Sequence, residues 1–234
     1  MTPRASADCS RRLTLTVTML ALFGTGCVSV SPRPSSVATS SGAAEASPTA
    51  TAEASASATD YVLQAAEGQP TVQVTLPDGW SWEHRYWVVA ANRAWVSVWE
   101  VANVFGHPCQ WSGTLLDPPV GPSVDDLATA LADQPMRNAT VEDVMVAGYA
   151  GKVVHMSVPA DLSFASCTYG TFQMWSVDGT EDDTRYSQGP GQLDDVYILD
   201  VDGTRVVLDL SWFPDTSPDV VAELVGIVRS FQID

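Results

Sequence analysis

The sequence predicts an α+β domain in which helices pack on a mainly antiparallel β-sheet. Three observations support this class. β-rich runs follow one another through short turns, most clearly in a hairpin with arms at 195–201 and 204–212. Two other segments carry apolar residues at helical spacing. The strands succeed one another without a helix between each pair, which favours antiparallel pairing.

The first strands of the domain lie before residue 105. Residues 72–76 alternate between apolar and polar side chains and end at a Pro-Asp-Gly turn, 77–79. Two β-rich runs, 84–90 and 94–104, then flank Asn92-Arg93 and predict a hairpin. Large apolar residues occupy both faces of the second run, which predicts a strand covered on both sides.

Each predicted helix has a start signal. Ser123 and Asp126 resemble a capping box, and the helix that follows ends at Pro135. Its expected buried face consists of Val124, Leu127, Ala128 and Leu131. Ser217 caps the second helix with Pro218 at its first position. Its expected buried stripe consists of Val221, Leu224, Val225, Val228 and Phe231.

Between the helices the sequence predicts further strands. Residues 140–159 read as two strands around the glycine-flanked turn 148–151. An aromatic-rich strand follows at 167–177, and then a polar loop at 178–192. The hairpin across Asp202-Gly203 completes the predicted sheet, because this dipeptide suits the tightest hairpin turns.

Residues 1–26 have the pattern of a secretory signal. A segment with three arginines precedes an apolar run, Leu13–Phe23, and small residues then precede Cys27. The apolar run is too short to span a bilayer, which needs about 20 residues. The pair Arg11-Arg12 is compatible with twin-arginine export as well as with general secretion.

The stretch 24–27, Gly-Thr-Gly-Cys, resembles the lipobox of bacterial lipoproteins. In that family the cysteine carries acyl chains, palmitate among them, and becomes the first residue. The resemblance implies a lipid anchor at Cys27 on the extracytoplasmic face of the cell membrane, which the chain does not span. Gly24 departs from the aliphatic residue usual at its position. The alternative is a plain secretory signal with an incidental cysteine.

Composition divides the remaining chain into a tether and a domain. Residues 27–60 are rich in Ser, Ala, Thr and Pro and have almost no large apolar side chain, so we expect a disordered tether. Residues 61–234 have the length and apolar content of a single domain with its own core.

The chain is strongly acidic. Its formal charge is −17, and it would be −19 without residues 1–26, which carry three arginines and one aspartate. Lys152 is the only lysine. This charge argues against nucleic acid as a partner and against docking on anionic lipid headgroups. It favours cationic or neutral partners, although an acidic surface also arises from composition alone.

Two cysteines remain in the domain, and we expect them to be bonded. Cys109 and Cys167 form an even pair in an oxidising compartment. Closing so long a loop contributes about 4 kcal/mol in the chain-entropy account. Two cysteines cannot form a zinc site by themselves, and no histidine stands at ligand spacing from them. We therefore expect no metal and no cofactor.

The sequence has few candidates for catalysis. It lacks a G-x-S-x-G motif. His155 lies in a predicted strand, whereas His107 lies beside Cys109. Asp194 and Asp195 point to opposite faces of a strand, so they cannot act as a pair on one bond. The acidic run 181–183 lacks the spacing of a calcium loop.

The domain is rich in tryptophan. Eight residues of this type fall mostly in strands, where aromatic side chains form cores; some of them could instead line a pocket or a sugar-binding face. They are Trp80, Trp82, Trp87, Trp95, Trp99, Trp111, Trp175 and Trp212. The loop 187–195, with two glycines and a proline, is either a rigid binding loop or a turn.

Several segments together carry a family resemblance. "LPDGW", "SVDDLATAL", "VAGYAGKVVHMSVPADLSF" and "GPGQLDDVYILDVDGTRVVLDLSWFPDTS", with the lipobox and tether, resemble a group of uncharacterised actinobacterial lipoproteins. That group is similar in layout to the PsbP-like fold, which implies an α/β/α sandwich. Such folds imply binding or assembly more often than catalysis.

We therefore expect a lipid-anchored extracytoplasmic protein that is not an enzyme and binds a small apolar ligand or an envelope protein. A cell-envelope hydrolase using His107 or His155 is one alternative, and a structural partner in an envelope complex is another. An apolar cavity lined by tryptophan favours a carrier, a His–Asp pair with a nucleophile favours a hydrolase, and an exposed apolar patch favours a structural partner.

Overall fold

The structure is a computed structural model that describes residues 59–234 except 85–86 and 91–93. The side chains at positions 84, 87, 88 and 90 are not described either. The predicted signal, Cys27 and almost all of the predicted tether therefore lie outside the described residues.

The described residues form an α+β fold, as the sequence predicts. The helices are α1 (Val124–Ala132) and α2 (Pro218–Ser230), with single 3-10 turns at Phe164–Ser166 and Thr168–Gly170. The strands are β1 (Thr59–Leu63), β2 (Val72–Leu76), β3 (Trp80–His84), β4 (Trp87–Ala90), β5 (Ala94–Trp99), β6 (Asn103–Val104), β7 (Thr140–Val146), β8 (Tyr149–Ser157), β9 (Phe172–Ser176), β10 (Thr184–Ser187), β11 (Leu193–Val201), β12 (Thr204–Trp212) and β13 (Gln232–Ile233).

The strands form three antiparallel sheets. The central sheet has the order β3-β4-β5-β12-β11-β8-β7, and the two smaller sheets have the orders β1-β2-β13 and β10-β9-β6. One face of the central sheet packs on α2 and the β1-β2-β13 sheet through residues such as Val96 and Leu208. We call this the α2 face. The other, the α1 face, packs on α1 and the β10-β9-β6 sheet through residues such as Val154 and Val207.

The predicted hairpin is confirmed as the centre of this sheet. β11 and β12 pair without interruption from Leu193↔Trp212 to Val201↔Thr204. Asp202 and Gly203 at the tip have φ of 50° and 86°, so both occupy the left-handed region that a tight hairpin turn requires. The register fixes which hairpin side chains share a face, and this determines the buried polar groups described below.

Both predicted helix starts are confirmed. Ser123 and Asp126 form a reciprocal capping box at α1, and Ser217 caps α2 with Pro218 in its first turn. Two residues of the predicted α2 stripe differ from the prediction: Val225 is 42% exposed and Val221 is only half-buried, whereas Ile227 is buried and Val220 packs against the core. The contact face follows the spacing of Leu224, Ile227 and Val228, which brings these three residues to the β2 and β5 side.

Two predicted strands near the start of the domain are wrong in extent. The run 84–90 is the second half of an unpredicted hairpin, β3–β4, which begins at Trp80. The run 94–104 ends at Trp99 and resumes as β6 in a different sheet. The side chain of Asn103 holds this crossing, because its amide donates to the carbonyl of Leu116 and its oxygen accepts from the amide of Val120.

Two predictions in the second half also need correction. The run 167–177 begins with a 3-10 turn, and its strand, β9, starts only at Phe172. The predicted polar loop 178–192 contains β10, which pairs with β9 across a bulge. β1 and β13, at the two ends of the domain, were not predicted from the sequence.

Gly151 marks a close approach between β8 and β11. A Cβ added there would lie 2.1 Å from the carbonyl oxygen of Ile198 and 2.9 Å from the Cα of Leu199, so the two backbones would have to separate. Gly226 offers a matched control, because a Cβ added at this position in α2 meets nothing within 4 Å.

We expect Gly151→Ala and Gly226→Ala to change stability in opposite directions. Gly151→Ala should lower the free energy of unfolding by about 3 kcal/mol or prevent folding, because overpacked backbone has no side chain that can move aside. Gly226→Ala should raise it by about 1 kcal/mol through helix propensity. Chemical denaturation of both variants measures the effect, and a Gly151→Ala variant as stable as the wild type would contradict the packing.

Candidate functional site

A buried ionic network joins the β10-β9-β6 sheet to the central sheet. Asp209 on β12 accepts a hydrogen bond from Nε of Arg185 on β10 at 3.0 Å, and Nη2 of Arg185 forms an ion pair with it at 2.9 Å. The Ser211 hydroxyl lies between the two carboxylates, 3.0 Å from Oδ1 of Asp209 and 2.8 Å from Oδ1 of Asp194, and can donate its one proton to either. Asp194 and Ser211 lie opposite each other in the register of β11 and β12. They lie on the α1 face, because they are an even number of residues from Val196 and Val207, which pack on that face.

Arg137, between α1 and β7, completes the network. Its Nη2 lies 3.2 Å from Oδ2 of Asp194, and both side chains are fully buried. Its Nη1 donates to Ser187 at the end of β10, and its guanidinium lies 5.4 Å from the ring centre of Phe172. Two buried cations thus balance two buried carboxylates, and the network has the character of a structural joint between the sheets.

Burial governs the protonation of this network. It raises the pKa of Asp209 to about 6, against the attraction of Arg185, and it lowers the pKa of Arg137, against the attraction of Asp194. Arg137 and Arg185 were not among the residues singled out from the sequence. The available signal was the position of Asp209 between Leu208 and Leu210 in an arm of the predicted hairpin, because a carboxylate buried among apolar residues needs a paired cation.

His155 and Asp195 form a pair on the opposite, α2 face. Nδ1 of His155 lies 2.6 Å from Oδ1 of Asp195. Burial raises the pKa of Asp195, while the hydrogen bond from His155 opposes the rise. The strand register places exposed Thr140 of β7 across from His155, in a row with Asp195. Hydrolases use such a pair to orient an imidazole. In the described chain, the imidazole of His155 is hydrogen-bonded only to Asp195.

Among the described residues, Cys109, Cys167 and His107 make structural contacts. The predicted disulfide is present, with a Cα–Cα distance of 4.5 Å between Cys109 and Cys167, and it packs against Phe172 and Val158. His107, two residues earlier, accepts a hydrogen bond at Nδ1 from the backbone amide of Gln110 at 2.9 Å. This bond shapes the loop before the disulfide, and no acidic side chain is bonded to His107 within the described ranges.

Most of the described tryptophans are buried or half-buried in the cores, which agrees with the expectation that aromatic residues in strands form cores. Trp82 is the exception, since it is 49% exposed and its ring centre lies 6.1 Å from that of Tyr61. The side chain of Trp87 is not described. Trp99 and Trp212 are half-buried, and the fully or nearly buried members are Trp80, Trp95, Trp111 and Trp175.

Two open grooves meet at the tip of the β11–β12 hairpin. They share Pro122, Gly203 and Arg205 as a common wall. The first, of about 430 Å³, lies between the start of α1 and strands β7 and β8. The second, of about 550 Å³, lies toward β5 and the loop after β9. Their linings are rich in carboxylates, namely Asp125, Asp143 and Asp200 in the first and Glu100 and Asp178 in the second.

The two cations of these grooves have their own partners. Nζ of Lys152 lies 2.8 Å from Asp143 and 3.3 Å from Asp125, and the hydrogen bond lowers the pKa of Asp143. Arg205 donates to the carbonyl oxygens of Gly121 and Val101 at 2.6 and 2.7 Å. The grooves therefore present an excess of negative charge to a ligand.

The described residues contain no group of three or more His, Cys, Asp or Glu side chains that could hold a metal ion. Neither described helix has the length and apolar character needed to cross a membrane.

The sequence matches no protein-family model and no curated protein. Among solved structures, the chain is similar to LpqN, whose structure is described as that of a protein involved in cell envelope biogenesis of Mycobacterium tuberculosis. The TM-score is 0.38 at 11% sequence identity, and the match covers 76% of this chain and 91% of that one. A similarity this low assigns neither a family nor a function, and the PsbP-like layout stays a prediction.

The buried network predicts a specific pH dependence. Because the pKa of Asp209 is raised on folding, its neutral form contributes stability that is present below its ordinary pKa and lost as the pH rises through about 6. From pH of about 4 to about 7, the wild type should lose about 2 kcal/mol of unfolding free energy relative to Asp209→Asn. Denaturant titrations of both proteins test this, and parallel pH curves would show that Asp209 does not titrate in this range.

Proposed function

We propose that this protein is a lipid-anchored extracytoplasmic protein whose domain binds a protein ligand without catalysis. The observation that carries the proposal is the placement of the cations. Arg137 and Arg185 are buried in the ionic network, while Lys152 and Arg205 are held by carboxylates and carbonyls within the grooves. Arg229, in the last turn of α2, is the remaining described arginine and is exposed. The described surface is therefore predominantly anionic away from Arg229, and it suits a partner with exposed basic groups.

The shape of the described surface supports a protein ligand over a small apolar one. A pocket for a small apolar molecule is a concave site with a mostly apolar lining. The two grooves are open and lined by carboxylates, and neither has a tryptophan in its lining. The tryptophans that could have formed an apolar pocket mostly belong to the cores.

In the described chain, no hydroxyl or thiol is hydrogen-bonded to the imidazole of His155, and this supports a non-catalytic role. A hydrolase of this type needs a hydroxyl or thiol within hydrogen-bond reach of the imidazole nitrogen that Asp195 leaves free. Within the described chain, no such group is hydrogen-bonded to His155. We therefore interpret the His155–Asp195 pair as a cross-strand contact between β8 and β11.

The anchor rests on the signal and lipobox pattern, and a single substitution tests it. Cys27→Ser should move the protein from the membrane fraction to the soluble extracytoplasmic fraction, because the acyl chains provide the attachment. Fractionation and intact-mass measurement of the wild type and variant measure this. A Cys27→Ser protein that stays in the membrane, or a wild type without added acyl mass, would contradict a lipid anchor.

Binding is tested on the full chain expressed in a bacterium that processes lipoproteins. We expect native mass spectrometry of the detergent-extracted protein to show a complex with a basic protein, which dissociates as salt rises from about 0.05 to 0.5 M because screening weakens the charge pairing. A bound mass that organic solvent extracts would instead support a carrier of small apolar ligands. A protein recovered only without partners would overturn the proposal.

A further inference from the structure

β7 is a free edge of the central sheet. Among the described strands it pairs only with β8, and its register with β8 runs without a shift over all seven residues, from Thr140↔His155 to Val146↔Tyr149. The edge strands β3 and β10 are interrupted by bulges in their pairing. β7 is thus the longest regular edge in the described part of the chain.

The register shows which backbone groups of β7 are free. The amide of Val158 donates to Gln192 on the β11 side, whereas the amide of Ser157 donates to Arg137 on the β7 side. Because the direction alternates along an antiparallel strand, His155, Val153 and Gly151 direct their backbone groups toward β7. Their partners in β7 are Thr140, Glu142 and Val144. The backbone groups of the residues between them, Val141, Asp143 and Met145, therefore point away from the sheet.

This edge has few of the features that usually protect one. Natural edge strands are short, or are interrupted by proline, lysine or a bulge. β7 has no proline, lysine or bulge. Its sequence is Thr-Val-Glu-Asp-Val-Met-Val, and the carboxylates Glu142 and Asp143 are its only charged side chains. Two apolar side chains that accompany the free backbone groups are exposed, Val141 by 39% and Met145 by 68%. The edge thus offers both hydrogen bonds and apolar contact to an added strand.

The charge beside the edge selects the partner. Asp143 and, across the first groove, Asp125 lie on the α1 face, where Lys152 is the single cation between them. On the α2 face, Glu142 lies close enough to Asp195 to raise its pKa. A second copy of this chain would bring Glu142 and Asp143 against the same acidic residues, so charge opposes a dimer through β7.

We propose that the free edge of β7 binds an extended, basic segment of a partner protein by strand addition. The added strand would pair with the backbone groups of Val141, Asp143 and Met145. It would place apolar side chains beside Val141 and Met145 on the α1 face and basic side chains beside Glu142 on the α2 face. This inference rests on the proposed function, since it names how and where the protein ligand would bind.

The test uses the isotope-labelled full chain and two blocked peptides of about seven residues, one alternating lysine and valine and the other alternating glutamate and valine. We expect the lysine peptide to slow amide hydrogen exchange at Val141, Asp143 and Met145 by at least about tenfold. Glu142 and Val144, already bonded to β8, should change little. The glutamate peptide should have no effect at equal concentration.

A pair of double variants isolates the backbone contribution. Val141→Pro with Met145→Pro removes two outward N–H groups and spares those bonded to β8, whereas Val141→Thr with Met145→Thr removes the same apolar side chains and keeps both donors. The proline pair should weaken binding of the lysine peptide about tenfold or more beyond the threonine pair. Circular dichroism and thermal unfolding verify that both variants fold, and the exchange experiment needs no variant.

Each contrary outcome has a distinct meaning. Lack of binding by the lysine peptide, or binding without protection of the three amides, would overturn strand addition at β7. Protection that rises with protein concentration alone would show that a second copy occupies the edge, which also overturns it. If the full chain nevertheless forms a salt-sensitive complex with a basic protein, the proposed function survives and only its location at β7 fails.

Discussion

The buried pairing of Arg137 and Arg185 with Asp194 and Asp209 is the constraint on which the rest of the domain depends. The β10-β9-β6 sheet and the loop after α1 meet the central sheet at these four side chains. Removing one partner of such a network costs about 3–5 kcal/mol, because the remaining charge stays buried without compensation. Apolar packing gives the two layers their affinity, and the network fixes the position at which they meet.

The network also affects which charged groups the surface presents. The chain has 11 basic residues against 28 acidic ones, and the network buries two of these few cations together with two carboxylates, so few cations are left to offset the exposed acidic residues. Asp194 and Asp195 show this division within one strand. The first lies on the α1 face, neutralised by Arg137, and the second lies on the α2 face with His155.

Local signals in the sequence specify much of the fold, while its long-range pairings cannot be read in the same way. Asp202-Gly203 fixes its hairpin, and Ser123 and Ser217 fix the helix starts, because turns and caps depend on neighbouring residues. The division of 94–104 between two sheets depends on bonds from Asn103 to Leu116 and Val120, which local patterns do not reveal. β10 was not predicted, because its sequence Thr-Arg-Tyr-Ser is polar and is typical of a loop. In the structure, Arg185 of this strand is buried and bonded to Asp209.

The candidate site shows the same division. The Cys109–Cys167 disulfide could be predicted from the even number of cysteines in the domain and the expected oxidising compartment. The edge at β7 could not be predicted, because it depends on the order of strands in the sheet. An edge strand with free backbone groups and exposed Val141 and Met145 could pair with the same strand of a second copy. The net charge of −17 opposes it, because two copies meeting at β7 would place like charges opposite each other. The same repulsion becomes attraction for a basic segment, so the charge that keeps copies apart also defines the partner.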